Sequence, residues 1–475
     1  MVDPVRSARD SAASIDASAP TTTARDDTGT SVTGELPRRI GLWTAVAILV
    51  GSTIGSGIFR SPAGIADKLP GPLPLLLVWT TGGLFALCGA LTLAEVAGAY
   101  PRTGGVYAFI KEGWGRLPAF LFGWSELVLI RAASLGALST TFSEYLIRVS
   151  GHDPSVAPYS AYTHYIAAAA IFLAGATNYV GVRSAGFVQN LTTSAKVLGL
   201  LIVIALAFAI GLPRTGGYYT PASPAGSFSL AAFGLALVSV LWVYDGWADV
   251  SFVAGEVENP RRNLPRVLII GTLGIIAIYL LANLAYLAVM PVSEVRHSRL
   301  VAADVTQRLI GSAGVVFISI VVMISTFGTL NGTMITGPRI IFATAADGML
   351  FSPLARVHPR YRTPSVSISI ITLLGMAFVL AGTFEQLADA FVTAIVPFYA
   401  LAVASVFVLR RRSDYDPPFR VPLYPVVPAL FIVSTFMLLA NAVFDPSSRS
   451  PTLGVFGAIL IGIPVYFASV GRRRT

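Results

Sequence analysis

A chain of 475 residues that is 54% hydrophobic and only 12% charged, with a mean hydropathy of +0.72, is an integral membrane protein, because a single water-soluble domain does not carry so many apolar runs of spanning length. The net charge of +9 does not mark a nucleic-acid surface: the basic residues are scattered through short loops between apolar segments, where they orient a chain in a bilayer rather than bind phosphate. The single cysteine, Cys88, excludes an intrachain disulfide, and His152, His164, His297 and His358 lack metal-ligand spacing, so no metal and no cofactor are expected.

Residues 1–37 are rich in Ser, Ala, Thr and Asp with no apolar run, and read as a disordered cytoplasmic tail. Without an apolar core of its own, this stretch is not a cleavable signal peptide. Twelve spanning segments follow, near 40–66, 74–99, 117–149, 162–182, 187–211, 229–257, 266–290, 312–345, 365–382, 386–409, 423–443 and 452–471. The fold class is thus an all-α polytopic membrane protein.

Segment 1 carries Gly51-Ser52-Thr53-Ile54-Gly55-Ser56-Gly57-Ile58-Phe59 inside its apolar run. Glycine costs roughly 1 kcal/mol against alanine in a helix interior, so the helix is weakest at Gly55-Ser56-Gly57. If it opens, unpaired N–H and C=O groups lie at membrane depth, which is tolerable only where they line a polar cavity. A zwitterion of amino-acid size satisfies both kinds, its carboxylate on N–H groups and its ammonium on C=O groups. Gly51 and Gly55 also have the GxxxG spacing of a helix-packing face, so this stretch alone leaves packing and binding open.

Segment 6 contains a second interruption, Leu241-Trp242-Val243-Tyr244-Asp245-Gly246-Trp247-Ala248-Asp249, five segments after the first. Five is odd, so the two broken segments cross the bilayer in opposite directions. Paired broken helices in two inverted halves point to a transporter's central site. An interfacial loop with belt aromatics is the alternative, although apolar sequence continues on both sides.

Ionisable residues at membrane depth are costly and are functional candidates by default. Lys196 lies about ten residues into segment 5, roughly 15 Å deep at helical rise. Its acceptors are expected among the segment 1 carbonyls from Gly51 to Gly55 and, on segment 8, at Ser325 and Thr326. A snorkelling lysine is the competing reading, and this depth disfavours it. Glu126 and Arg131 sit in mid-segment 3, where a structural ion pair and a transport role are both open. Glu95, Glu256 and Arg339 lie near the predicted cytoplasmic ends and form a candidate inner gate, with a static solvated network as the alternative. Asn190-Leu191-Thr192 and Asn331-Gly332-Thr333 match the glycosylation pattern but fall inside spans and are discounted.

The loops assign orientation. One set holds Arg38, Arg39, Arg102, Lys111, Arg116, Arg183, Arg261, Arg262, Arg266, Arg356, Arg360, Arg362, Arg410 to Arg412, Arg420 and Arg472 to Arg474. The other holds only Arg60, Lys68, Arg148, Arg214, Arg296, Arg299, Arg308 and Arg449. The excess is more than twofold, so both termini are expected in the cytoplasm, with the protein in the cell (inner) membrane.

Four passages together resemble the amino acid–polyamine–organocation superfamily, in particular its branch of L-type amino-acid exchangers and related bacterial permeases. They are Gly51 to Phe59, the run from Tyr244-Asp245-Gly246-Trp247 to Glu256-Val257-Glu258-Asn259-Pro260-Arg261-Arg262-Asn263-Leu264-Pro265, segment 8 from Phe327-Gly328-Thr329-Leu330-Asn331-Gly332-Thr333 to Pro338-Arg339, and Tyr100-Pro101-Arg102-Thr103-Gly104-Gly105-Val106-Tyr107. The resemblance implies a five-plus-five inverted-repeat (LeuT-like) fold with discontinuous helices 1 and 6. The first repeat would cover 38–211, the second 212–412, and two further helices with a basic C-terminus 413–475. It also implies no catalytic chemistry, and the chain shows no clustered His, Asp or Ser motif of a membrane enzyme.

Carried over by resemblance, the carboxylate clamp falls on Ser56 and Gly57 with Gly55 beside them. The ammonium acceptors fall on the carbonyls of Thr53, Trp242 and Asp245, and Trp242 is also the aromatic that closes over the substrate. Lys196 resembles a built-in replacement for the cation of sodium-coupled relatives. Animal exchangers of this type carry a cysteine after segment 3 that bonds a heavy chain. The loop from Ser150 to Tyr159 has none, so no such partner is expected. The resulting expectation is a sodium-independent secondary amino-acid transporter, an exchanger or proton-coupled, working by alternating access on neutral L-amino acids. Asp245 stands where several neutral-amino-acid exchangers have glycine, which makes cationic amino acids or polyamines the alternative. A channel is disfavoured, because paired broken helices lie within one subunit.

Overall fold

The computed structural model describes residues 38–469 apart from 155, 227, 299 and 445. The tail to residue 37 and Arg472 to Arg474 lie outside the described residues, as does Arg299. Among the described residues the chain is helical, with one isolated parallel bridge between Ile40 and Val257. A chain that crosses lipid must satisfy its backbone within each segment, which leaves helices as the available solution for these apolar runs.

Segment 1 is two helices, α1 (Leu42–Thr53) and α2 (Gly57–Lys68), followed by α3 (Pro72–Ala99). A short helix α4 (Val106–Trp114) leads into a long rod made of α5 (Arg116–Ser125), a π-turn at Glu126–Ile130 and α6 (Arg131–Val149). Then come α7 (Tyr159–Val180) and α8 (Val182–Leu206), the latter running through a second π stretch into α9 (Leu212–Thr215). Segment 6 is α10 (Leu230–Val243), a buried turn, and the single turn α11 (Asp249–Phe252). The rest is α12 (Pro260–Val289), α13 (Val292–Val295), α14 (Val301–Ile310), α15 (Ser312–Ala346), α16 (Ser365–Ala381), α17 (Phe384–Leu409), α18 (Val426–Phe444) and α19 (Pro446–Ser469).

Eight helical rods are long and apolar enough to cross a membrane: α3, α5–α6, α8–α9, α12, α15, α17, α18 and α19. Their outer faces carry exposed apolar side chains such as Leu84, Leu191, Phe436 and Phe467, as a lipid-facing surface requires. Local chemistry sets several starts: Pro72 follows Gly71, Ser229 accepts from the Ala232 N–H to cap α10, and Thr383 and Gln386 form a capping box on α17. Helices α4 and α14 were not among the expected segments. Both are short and bear charge (Lys111 and Glu112; Asp304 and Arg308), so neither gives a spanning signal.

The interior is built around α1. It packs on α8, α12 and α15, while α2 packs on α10. The close approach to α8 runs through Gly51, where a Cβ would stand 2.0 Å from Gln189 Nε2 and 2.3 Å from Thr193 Oγ1. Gly55 instead has only ordinary neighbours at 3.5 Å or more. The two glycines of the GxxxG spacing therefore divide the alternatives between them: Gly51 packs, and Gly55 borders open space.

The two basic sets gather their own acidic partners. Arg102 and Arg412 bind Glu112, Lys111 binds Asp347, and Arg261 binds Asp416. In the other set, Arg296 faces Asp67 and Arg308 binds Glu294.

Candidate functional site

Helix α1 stops at Thr53 because Ile54 leaves helical backbone (ψ 82°) and its N–H turns back to Val50 O. Gly55 N–H closes onto Thr53 O at 2.8 Å, and α2 starts at Gly57. The first N–H groups of α2 have no partner within the helix, and they border a cavity of about 80 Å³. One ordered water needs roughly 10–15 Å³ by the same measure, so the space takes several waters or a small solute. Ser52, Thr53, Gly55, Ser56 and Gly57 line it from segment 1, and Trp242, Asp245, Gly246 and Asp249 line it from segment 6. The breaks meet directly: a Cβ on Gly246, whose φ is +103°, would lie 2.8 Å from the Ser52 carbonyl carbon and Thr53 N. The turn from Tyr244 to Ala248 is thus a buried break rather than an interfacial loop.

The six residues expected at the substrate, Thr53, Gly55, Ser56, Gly57, Trp242 and Asp245, all line this one cavity. Two details differ from expectation. A Cβ on Gly57 would meet Val243 Cγ1 at 2.8 Å, so this glycine is held small by α10 as well as by the cavity. The Thr53 carbonyl already accepts from Tyr279 Oη at 2.9 Å, a hydroxyl shared with Val243 O at 3.3 Å. Tyr279 therefore ties the end of α1 to the end of α10. Trp242 meets Phe384 edge to face, with ring centroids 6.5 Å apart, over one side of the cavity.

Lys196 is fully buried and is not a snorkelling side chain. Its Nζ donates to Gly51 O (2.8 Å), Ile54 O (2.6 Å) and Thr329 Oγ1 (3.0 Å), three acceptors for the three N–H bonds of an ammonium. Ser325 does reach segment 1, donating to Ile54 O at 2.9 Å rather than contacting the lysine. Thr326 does not take part: its hydroxyl donates to Val322 O and Met323 O of its own helix. Thr329 replaces it. Ser325 and Thr329 are four apart and share a face, whereas Thr326 is rotated about 100° away. Helical spacing therefore held the signal for Thr329.

The inner-gate trio divides. Arg339 and Glu256 form a fully buried pair at 2.6 and 3.2 Å. The strap before α1 is stitched to the same place, with Arg39 and Ile40 N–H groups on Glu256 O and Glu258 N–H on Ile40 O, each at 2.9 Å. Removing one partner of such a pair leaves an uncompensated buried charge, at about 3–5 kcal/mol. Glu95 stands apart from this pair. It binds Arg410 at 2.6 and 2.8 Å and accepts from Val421 N–H at 2.6 Å, clamping α3 to the segment between α17 and α18. The Arg410 guanidinium lies 4.0 Å from the Tyr424 ring centroid. Tyr107 on α4 donates to Asp347 at 2.6 Å; burial first and the Asp347 charge second hold this phenol well above its ordinary range.

Glu126 and Arg131 form an ion pair with each other at 2.6 Å, one of the two readings left open, and the guanidinium also lies 4.0 Å from Asp249 Oδ1 and 5.1 Å from the Phe252 ring. The π-turn between α5 and α6 sets this register, since it carries Glu126 at its first position. Asp249 lines the same cavity and was not among the expected site residues, although the rule applied to Lys196 covers any acid at membrane depth. Asn331 is buried in a network with Asn178, Gln189 and the Ala185 carbonyl, inaccessible to glycosylation. Among the described residues no group of His, Cys, Asp and Glu could hold a metal ion.

The model of the family described as amino acid permease matches residues 40–465. The chain is 32% identical over 442 residues to the serine/threonine exchanger SteT of Bacillus subtilis, covering 92% of this chain and 98% of that one. It is 31% identical over 402 residues to the b(0,+)-type amino acid transporter 1 of Homo sapiens, covering 84% and 81% of the two chains. It is also 31% identical over 443 residues to the large neutral amino acids transporter small subunit 2 of Mus musculus, covering 92% and 81%.

Proposed function

The chain belongs to the amino acid permease family and is a multi-pass secondary amino-acid transporter rather than an enzyme, and from that premise we propose that it carries neutral L-amino acids, by exchange or with a proton and without sodium, through alternating access at the two helix breaks. The observation that carries this reading is the cavity between the breaks. Ser56 and Gly57, at the positive end of α2, line it for a carboxylate, and Thr53 and Trp242, at the ends of α1 and α10, line it for an ammonium. Ser56 and Gly57, with Gly55, are the proposed carboxylate clamp. The carbonyls of Thr53, Trp242 and Asp245 are the proposed ammonium acceptors, with Trp242 and Phe384 closing over the ligand. Lys196, Thr329 and Ser325 are proposed to bridge segment 1 to α8 and α15 in place of a cation. The Arg339–Glu256 pair and the stitched strap are the proposed inner gate.

The proposed architecture is twelve crossings. The eight long rods, α7, α16 and the two broken segments make that number. The breaks fall five crossings apart, which supports inverted repeats over 38–211 and 212–412 followed by the two helices of 413–475. The larger basic set is placed in the cytoplasm of the cell membrane, with both termini. A disulfide-linked partner is not part of the proposal, since Cys88 lies within α3. Neutral substrates are favoured over cationic ones in this reading because Arg131 lines the same cavity as Asp245 and Asp249 and lies 4.0 Å from Asp249 Oδ1, which already counters part of their negative charge.

A thermal-stability screen of the purified protein against the common amino acids tests the reading. A ligand at one hundred times its dissociation constant stabilises the folded state by about 2.7 kcal/mol. Neutral L-amino acids are expected to raise the unfolding temperature. A rise confined to arginine, lysine or polyamines contradicts the neutral assignment.

A further inference from the structure

A second cavity, of about 630 Å³, opens among residues of the larger basic set. Its size is that of sites that enclose a whole ligand, roughly 300–1,000 Å³. Gly255, next in sequence to Glu256, lines it, and so do Ala343 and Ala346, which follow Arg339 by one and two turns of α15. The cavity therefore adjoins the proposed inner gate. Arg38 of the strap, Arg102 and Lys111 line it as well. The charges around this space do not balance. Lys111 meets Asp347 one for one at 2.6 Å. Glu112, by contrast, is shared by two guanidiniums, Arg102 at 2.9 Å and Arg412 at 3.2 Å, and Arg38 has no acidic partner among the described residues. Four cations thus stand against two carboxylates, an arrangement that draws an anionic occupant.

The chain supplies such an occupant at the wall itself. Residues 26–37 hold Asp26, Asp27 and Glu35 and no basic residue, and they lead directly into Arg38. The strap that follows is fixed, with the Arg39 and Ile40 N–H groups on Glu256 O at 2.9 Å each. Asp27 lies eleven residues before Arg38. At about 3.5 Å per residue its reach is up to roughly 40 Å, several times the width of the cavity. A short tether holds a segment at an effective concentration in the millimolar range, so weak ion pairs are enough to seat it. Building on the transport proposed above, we propose that the acidic stretch 26–37 docks in this cavity as an autoinhibitory plug. The cavity is present with the Arg339–Glu256 pair closed, and an occupant that touches the strap, the α4 region and α15 together favours that state. A ligand shifts an equilibrium by its differential affinity for the two states, so the plug slows the inward-open step.

The test follows exchange of a labelled neutral amino acid by the full chain in proteoliposomes. Asp26→Asn/Asp27→Asn/Glu35→Gln removes the acids at unchanged length and is expected to raise the rate about two- to tenfold. Arg102→Ala is expected to raise it similarly, and the two changes together no further, because each removes the same contact. Higher ionic strength is expected to speed the unaltered protein but not the triple variant. Docking is read directly from spin labels on Thr30→Cys and Ala346→Cys in a Cys88→Ser background. A short label-to-label distance that lengthens when the three acids are removed supports the plug. A rate raised by Arg102→Ala but not by the triple variant assigns the cavity to another anion, such as a lipid headgroup, and overturns it. So do unchanged rates in both variants, or a long distance throughout. If no amino acid is exchanged, the transport reading falls, and the label distance alone then decides whether the segment docks.

Discussion

Lys196→Met is expected to cut amino-acid exchange by on the order of tenfold or more while substrate binding changes much less. Methionine keeps the volume and removes the three donors. A hydrogen bond from a charged group contributes about 1.5–3 kcal/mol, which is roughly 10- to 100-fold in an equilibrium that makes or breaks it. The bonds run from α8 to Gly51 O and Ile54 O, at the end of α1, and to Thr329 on α15. They therefore bias the position of the moving segment against its scaffold, and no contact of Lys196 with the cavity is needed. The stability effect is expected to be small, because Thr329 still donates to Gly51 O at 2.9 Å and Ser325 to Ile54 O at 2.9 Å once the lysine is gone. Counterflow rates in proteoliposomes, set beside ligand-induced thermal shifts of the same variant, separate translocation from binding. Equal losses in both would place Lys196 at the ligand instead.

Gly246→Ala is expected to be among the most damaging single-methyl additions in the chain. Its φ of +103° is a backbone region that L-residues avoid, and the added Cβ would meet backbone atoms of Ser52 and Thr53 at 2.8 Å. Neither can yield easily: α1 is held there by Tyr279 on Thr53 O and by Lys196 on the flanking carbonyls. Strain and overpacking together amount to on the order of 3–5 kcal/mol. The expected result is a large fall in unfolding temperature with exchange abolished. Gly234→Ala, twelve residues earlier in α10 with open space at its Cβ, is the control. It is expected to be neutral or slightly stabilising, since alanine is the better helix former.

Much of this was legible in the chain. The Gly55-Ser56-Gly57 and Tyr244-to-Asp249 interruptions announced the breaks, because glycine and charge inside apolar runs are expensive unless the backbone lines a polar space. Lys196 was legible for the same reason, and so were its carbonyl acceptors. What stayed hidden depended on three-dimensional neighbours. Tyr279 is one aromatic in an apolar run, and nothing in its sequence context says that its hydroxyl joins two helix ends. Glu95 and Glu256 look alike near helix ends, yet packing sends one to Arg410 and the other to Arg339. Asp249 and Thr329 were recoverable, the first from its depth and the second from its four-residue spacing to Ser325. The short helix α4 gives no spanning signal because Lys111 and Glu112 follow directly on its buried residues, Val106 to Ile110.

The central claim is that a protein-borne ammonium does the bridging work at the opened segment, so that no sodium ion is required. Exchange of a labelled neutral amino acid into proteoliposomes, with sodium replaced on both sides by choline, tests it directly. The account predicts the same rate and the same half-saturation in both media. A strict requirement for sodium in the unaltered protein would contradict it and remove this role from Lys196.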